Sequence, residues 1–563
     1  MERGGSRLPR TIAGRFRDAI RFPLDSKGAT DRLGGIHQRK RFAPMALRAA
    51  LLVSALSMAL AAPLGAQETP AFSSDAIRAD IGFLADDLLE GRDGGTRGYD
   101  LAARYVAARF TALGLEQAVP DSWYQPVTLT LATLEKDSPA SLTIGGRTFD
   151  NGGDVVIGAF GREPKQSLEA GAVFVGYGLQ SEREKIDDYA GLDLKGKWAV
   201  ALSGSPVGMP SEIGAHLAAE KTQVAQRAGA IGLITIPSAG MLARMPWERL
   251  QERAMEPSVG WMQPDGRLYV RTPGIRGSAY ANGAAAEALF AGSGRTLGAI
   301  RAEAKKRGGR PRGFALKPAV RIDRASSVAT APSSNVLAVI PGSDPALAHE
   351  YVLLMAHLDH VGVKPETPGK DKIFNGAMDN ASGVATMLAV AKAFAQSGTR
   401  PRRSILFAAV TAEEDGLLGS QYLAKNSVLP AGGKLVGVVN LDMPILTYDF
   451  QDIVAFGAEH STLGPIVETA AKSEGIALSP DPLPAEGLFT RSDHYRFRAF
   501  GIPDDGLCRA GESGVRAFPQ DELSQAVRPD RPALPLAGGG EVRAGQLCDR
   551  ARDRRCGGGA ALV

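Results

Sequence analysis

Three apolar runs in the second half of the chain each stop within three residues of an acid or a histidine. Residues 352–356 run into His357, 404–410 into Glu413 and Glu414, and 435–441 into Asp442. Such runs, rich in Val, Leu and Ala and without polar alternation, predict strands covered on both faces. Helical periodicity fills the gaps at 383–395 and 417–424. Strands at 335–340 and 453–456 and a helix at 463–473 extend the pattern. Strands alternating with helices predict a layered α/β domain. In open sheets of that kind functional groups collect beyond the carboxyl ends of the strands, where these acids and histidines stand.

The rest of the chain has other textures. Its 563 residues allow about two to four domains. The net charge of +4 is unevenly spread: residues 1–45 hold eleven Lys and Arg against four acids, and from residue 67 onward 53 basic side chains face 57 acidic ones. That balance excludes nucleic acid as a partner. Residues 45–66 start with Arg48 nearby, continue as an apolar run and end on Leu64-Gly65-Ala66. This predicts a secretory signal peptide, a periplasmic or extracellular mature protein and no integral membrane segment after cleavage. Residues 1–44 read as a spurious upstream extension, with Met45 the true start.

Residues 67–124 predict two helices around the Gly-rich turn at 91–95. Residues 125–330 read as a β-rich insert with strands at 172–177, 198–202 and 230–236 and a helix at 216–228. The α/β domain is expected over 331–502. The tail, 503–563, has nine Arg, no Lys and all three cysteines, Cys508, Cys548 and Cys556. It reads as a disordered tail or as the product of a frame shift near Pro503. Without a cysteine in the body, neither a disulfide scaffold nor a cysteine ligand or nucleophile is available there.

Five segments carry the chemistry. In Ala356-His357-Leu358-Asp359-His360 the first imidazole suits a zinc ion, and Asp359 can orient it from behind. In Asn375-Gly376-Ala377-Met378-Asp379-Asn380-Ala381-Ser382-Gly383 the turn residues deliver Asp379 to a helix start, and its two oxygens can bridge two metals. Glu413 and Glu414 are adjacent and point apart, so one can bind metal while the other takes a proton. Asp442 ends a strand in Asn440-Leu441-Asp442-Met443, and Ser492-Asp493-His494-Tyr495 offers a second imidazole. His360 is not read as a ligand, and His216, His349 and His460 read as surface residues. Ser382 and Ser492 lie in no Gly-x-Ser-x-Gly elbow, which argues against a serine hydrolase.

In this order the five segments resemble the di-zinc aminopeptidase family that includes aminopeptidase Y, glutamate carboxypeptidase and the transferrin receptor. The stretch Leu84 to Arg92, with Gly95-Thr96-Arg97-Gly98, is similar to that family's opening motif. The resemblance implies a mixed central β-sheet flanked by helices, of the zinc-peptidase (phosphorylase/hydrolase-like) kind. It implies two Zn2+, one held by His357, Asp379 and Asp442 and the other by Asp379, Glu414 and His494, with Glu413 as general base and Asp359 as a catalytic neighbour. The insert is similar to a protease-associated (PA) domain through Val173 to Gly178, Asp188 to Lys197 and Gly229 to Ile234. A secreted exopeptidase acting on peptides, most simply an aminopeptidase, is what the resemblance implies. A carboxypeptidase or amidase on the same scaffold and an inactive receptor-like module remain open, as does the oligomeric state.

Overall fold

The structure is a computed structural model describing residues 72–365, 369–458, 461–498 and 507–512. The leader, the upstream extension and most of the tail lie outside these residues. Every side chain of Ser404–Val410 is buried, which requires a central strand covered on both faces. Its residues divide by parity. Ile405, Phe407 and Ala409, with Leu354 and Ala356 of Glu350–His357, pack against helices Arg97–Ala112 and Gly383–Gln396 through Val106, Phe110, Val384 and Met387. Leu406, Ala408 and Val410 face the other way, with Leu353 and Met355, onto Leu423 of helix Leu418–Lys425 and Phe497 of helix His494–Arg498. The sheet is thus the middle of three layers.

Its main strands are β1 (Tyr124–Leu134), β2 (Val320–Ile340), β3 (Glu350–His357), β4 (Ser404–Val410), β5 (Lys434–Leu441), β6 (Asp452–Phe456) and β7 (Leu507–Glu512). They lie in the order β1-β2-β4-β3-β5-β7-β6, with Ser258–Trp261 beside β1 and Ala477–Ser479 beside β6. β4, β3, β5 and β7 are mutually parallel, while β2 runs against β1 and β4, and β6 runs against β7. The sheet is therefore mixed. From β3 the chain crosses to β4 on one side, then returns over β3 to β5 on the other. That reversal makes the carboxyl end of β3 a topological switch point, where an open α/β sheet leaves a crevice.

The insertion is narrower than its texture suggests. β1 and β2 pair antiparallel from Tyr124↔Val336 to Leu134↔Ser326, so residues 124–134 and 326–340 belong to the main sheet and not to an insert over 125–330. The chain leaves that hairpin at 135 and rejoins it at 326. β2 is 21 residues long, and its first residues pair with Ser141–Ile144 and Lys165–Ala170. Within the insertion a second sheet runs Phe314–Ala315, Ala172–Phe174, Trp198–Leu202, Gly232–Ile236, Gly277–Ala281 and Val155–Val156, its four middle strands parallel. It is an α/β unit, with helices between its strands. The helix expected at 216–228 is two, Ser211–Ala219 and Lys221–Arg227, meeting at Glu220. At the other end β7 lies between β5 and β6, so the domain extends past 502.

Trp198 organises the second sheet. Its indole is fully buried, donates from Nε1 to the carbonyl of Val320 at 3.1 Å and lies across two neighbouring strands. A Cβ on Gly232 or Gly277 would sit 2.3 Å from its ring atoms. Gly232→Ala is therefore expected to destabilise by about 1–3 kcal/mol, the usual penalty for overpacking. Gly240→Ala, on a helix with open space around it, should be neutral or slightly stabilising. Thermal unfolding of the two variants beside the parent checks the pair.

Candidate metal centre

Each strand that converges on the switch point ends in a turn that aims a polar side chain across it. β3 ends on His357, which is 1% exposed. Its Nδ1 lies 3.1 Å from the backbone carbonyl of Asp359, which directs Nε2 toward Asp379 Oδ1 at 3.1 Å and Asp442 Oδ1 at 3.6 Å. Burial disfavours the imidazolium, but Glu413, Asp379 and Asp442 outweigh it and hold the His357 pKa well above the ordinary value.

Asp379 stands in the kinked segment Ala377–Ser382 that precedes helix Gly383–Gln396. Its second oxygen lies 3.9 Å from Nδ1 of His360, so one carboxylate presents an oxygen to each of two imidazoles. Burial raises its pKa, but the two histidines reverse that, and the net shift is downward. His360 Nδ1 also meets Glu414 Oε1 at 2.7 Å. The buried Asn380 fixes the kink: its Nδ2 donates to the Leu441 carbonyl at 2.9 Å, and its Oδ1 accepts from Gly383 N at 3.0 Å and Met443 N at 3.1 Å. A Cβ on Gly383 would sit 2.2 Å from that Oδ1 and 2.4 Å from the Leu441 carbonyl oxygen, so the position admits no side chain. Asn380 thereby locks the Asp379 segment to the end of β5.

After β4, Ala412 turns the chain with φ +51° and brings in Glu413 and Glu414. The Asp359 carboxylate accepts from their amides at 3.1 and 3.2 Å. It stands 4.0 Å from His357 Nδ1, so the contact that orients the imidazole comes from the Asp359 backbone, while its side chain holds the Glu413-Glu414 turn. Burial pushes the Asp359 carboxyl well above the usual range, and it does the same to Glu413, with Asp442, Asp493 and Glu414 adding to the effect. At the end of β5, Asp442 Oδ2 accepts a short hydrogen bond from Ser492 Oγ. Ser492 in turn accepts from Asn440 Nδ2 at 2.5 Å.

Two groups of ligand atoms result, each with all members within 4.8 Å: His357, Glu413 and Asp442 in one, and His360, Asp379 and Glu414 in the other. The two groups fit cations. The four clustered carboxylates are hard donors, the imidazoles suit borderline metals, and the buried Nε2 of His360 meets no hydrogen-bond partner among the described residues. Of the expected residues, His357, Asp379, Glu413, Glu414 and Asp442 are brought together, with Asp359 behind them. His494 is fully buried, with its ring 5.1 Å from that of Phe489, but it belongs to neither group. His360, which the sequence reading set aside, stands in the second group with Asp379 and Glu414. The signal was its position three residues after His357. His216 is not a simple surface residue either: its Nδ1 lies 2.8 Å from the hydroxyl of Tyr495, next to His494. Ser492 and Asn380 were visible only as parts of motifs, since their roles depend on contacts 50 and 61 residues away in sequence.

Residues 335–519 match the family model described as Peptidase family M28. Over 179 residues, 31% of this chain, the protein is 31% identical to leupeptin-inactivating enzyme 1 of Streptomyces exfoliatus, covering 35% of that protein. Over 115 residues, 20% of the chain, it is 34% identical to a probable glutamate carboxypeptidase of Arabidopsis thaliana, covering 14% of it. The chain thus spans about a third or less of the length of these curated relatives. Among solved structures, an aminopeptidase from Aneurinibacillus aligns with 81% of this chain and 90% of its own at 20% identity, with a TM-score of 0.47. The family match encloses every acid and imidazole of the two groups, and residues 335–519 of this chain are a Peptidase family M28 domain.

Proposed function

We propose that the protein is a zinc-dependent exopeptidase that removes N-terminal residues from peptides, with two Zn2+ at the switch point. The observation that carries this reading is the Asp379 carboxylate, which faces His357 with one oxygen and His360 with the other and so could serve two metals at once. His357 and Asp442 would hold one metal and Glu414 the other, with Asp379 shared. The second imidazole is His494 on the family resemblance and His360 on the geometry. Metal there supplies a Lewis acid and lowers the pKa of water toward neutrality.

The chain's own groups do the rest. Glu413, half-buried and with a raised pKa, takes the proton from the attacking water and returns it to the leaving amine. Asp359, through two backbone amides, keeps that carboxylate in place. Ser492 holds Asp442. The names of the relatives support hydrolysis of peptide bonds. We further propose export by the leader at 45–66. Among the described residues no helix is long and apolar enough to cross a membrane.

Glu413→Gln should keep its zinc and lose turnover by about a hundredfold or more, the usual worth of general-base catalysis. Metal analysis beside a kinetic assay reads both, and near-parental turnover would remove Glu413 as the base. Zinc counts on His360→Ala and His494→Ala identify the second imidazole: the ligand's variant should retain about one zinc and the other about two. N-blocked and C-blocked dipeptides, with and without chelator, test the polarity of the exopeptidase. Cleavage of N-blocked substrates alone would favour the carboxypeptidase alternative.

A further inference from the structure

We infer that Arg92 is a positioning residue, whose guanidinium holds the segments 357–360 and 375–379 in register with each other and places a fixed positive charge behind their acids. The inference rests on reading those segments as metal ligands. Arg92 closes the short turn Asp87–Arg92, far from the domain's other site residues in sequence, and is 1% exposed. Its Nε donates to the carbonyl of Leu358 at 2.9 Å. One terminal nitrogen donates to the carbonyl of Asn375 at 2.6 Å and to that of Leu84, and the other to the carbonyl of Gly376 at 3.0 Å. The Arg92 carbonyl accepts from the His360 amide at 3.3 Å. One planar fork therefore grips the peptide between His357 and Asp359 and the two peptides leading into the kink that carries Asp379.

The fit is tight on every side. A Cβ on Gly376, which has φ +61°, would sit 2.7 Å from Nη2 of Arg92 and 2.7 Å from Cγ of His360. The hydrogen bonds go to backbone carbonyls and not to a carboxylate, so the acids stay available to a metal while the charge acts on them from behind. Burial lowers the Arg92 pKa to about 10, with Asp359, Asp379 and Glu414 acting against it, and the group is still cationic at neutral pH. A lysine could supply the charge but not the fork, because its ammonium is a point donor without a fixed plane.

Arg92→Lys and Arg92→Gln in the full chain test this. Three quantities are needed: thermal unfolding, amide hydrogen exchange of 357–360 and 375–380 in the metal-free protein, and zinc affinity by competition with a chelator. The Lys variant should unfold near the parent temperature, yet exchange faster in both segments and bind zinc about tenfold or more weakly, as other outer-sphere changes do. The Gln variant should be weaker still, having lost the charge as well. A folded Lys variant with parental exchange and zinc affinity overturns the inference. So does failure of both variants to fold, which would make Arg92 a fold element only. If the parent binds no zinc while exchange still rises in the Lys variant, the metal reading fails and the positioning role stands.

Discussion

Carboxylates crowd together in a buried place only where fixed donors and cations offset their mutual repulsion, and the rest of this structure is arranged around that constraint. An uncompensated buried charge costs several kcal/mol, and here Asp379, Glu413, Glu414 and Asp442 lie within a few ångströms of two imidazoles. Each acid with a partner in the chain is held by something that cannot move away: Asp359 by two amides of the following turn, Asp442 by Ser492. The turns that aim them use rare backbone conformations, with φ +51° at Ala412 and φ +55° at Met443. Left-handed backbone at non-glycine residues is tolerated only where the surroundings over-determine it. Here strands β4 and β5 feed those turns from a core buried on both faces.

Much of this was legible because strands and ligands are local features. The parallel strands, the helix after the Asp379 kink and the residues at the strand ends follow from short apolar runs and the polar residues behind them. What was not legible depends on distance in the chain. The first half of β2 reads as part of the insert because its texture matches the stretch before it. Only its pairing with β1, from Ser326↔Leu134 to Thr330↔Thr130, places residues 326–330 in the main sheet. His360 was discounted because a histidine directly after an orienting acid has no intrinsic direction. Its ring reaches Glu414 because the β4 turn places Glu414 there. Tail residues 507–512 carry no strong strand pattern, yet they fill the one gap between β5 and β6.

The insertion's attachments follow the same logic of distant support. It leaves and re-enters through neighbouring strands β1 and β2, so its two ends are fixed by a continuous antiparallel ladder and not by a flexible linker. Trp261, on the edge strand Ser258–Trp261, donates from Nε1 to Gln421 Oε1 at 2.8 Å and packs edge-on against Tyr422 at 5.0 Å. Both partners sit on the helix that follows the Glu413-Glu414 turn. His216, on a helix of the insertion, meets Tyr495, and Ala215 packs so closely on Gly487 that a Cβ there would lie 2.6 Å away. Arg496, the residue after Tyr495, donates to the carbonyl of Gly416 at 2.9 Å and closes the circuit between the helix that begins at His494 and the turn that carries Glu413 and Glu414. Two of the three insertion contacts therefore end on the helix that follows the Glu413-Glu414 turn and on the helix that begins at His494. A displacement of the insertion would have to break a buried indole hydrogen bond and an imidazole–phenol hydrogen bond together. Such paired polar contacts make the insertion part of the frame that sets the geometry of the two carboxylate–imidazole groups.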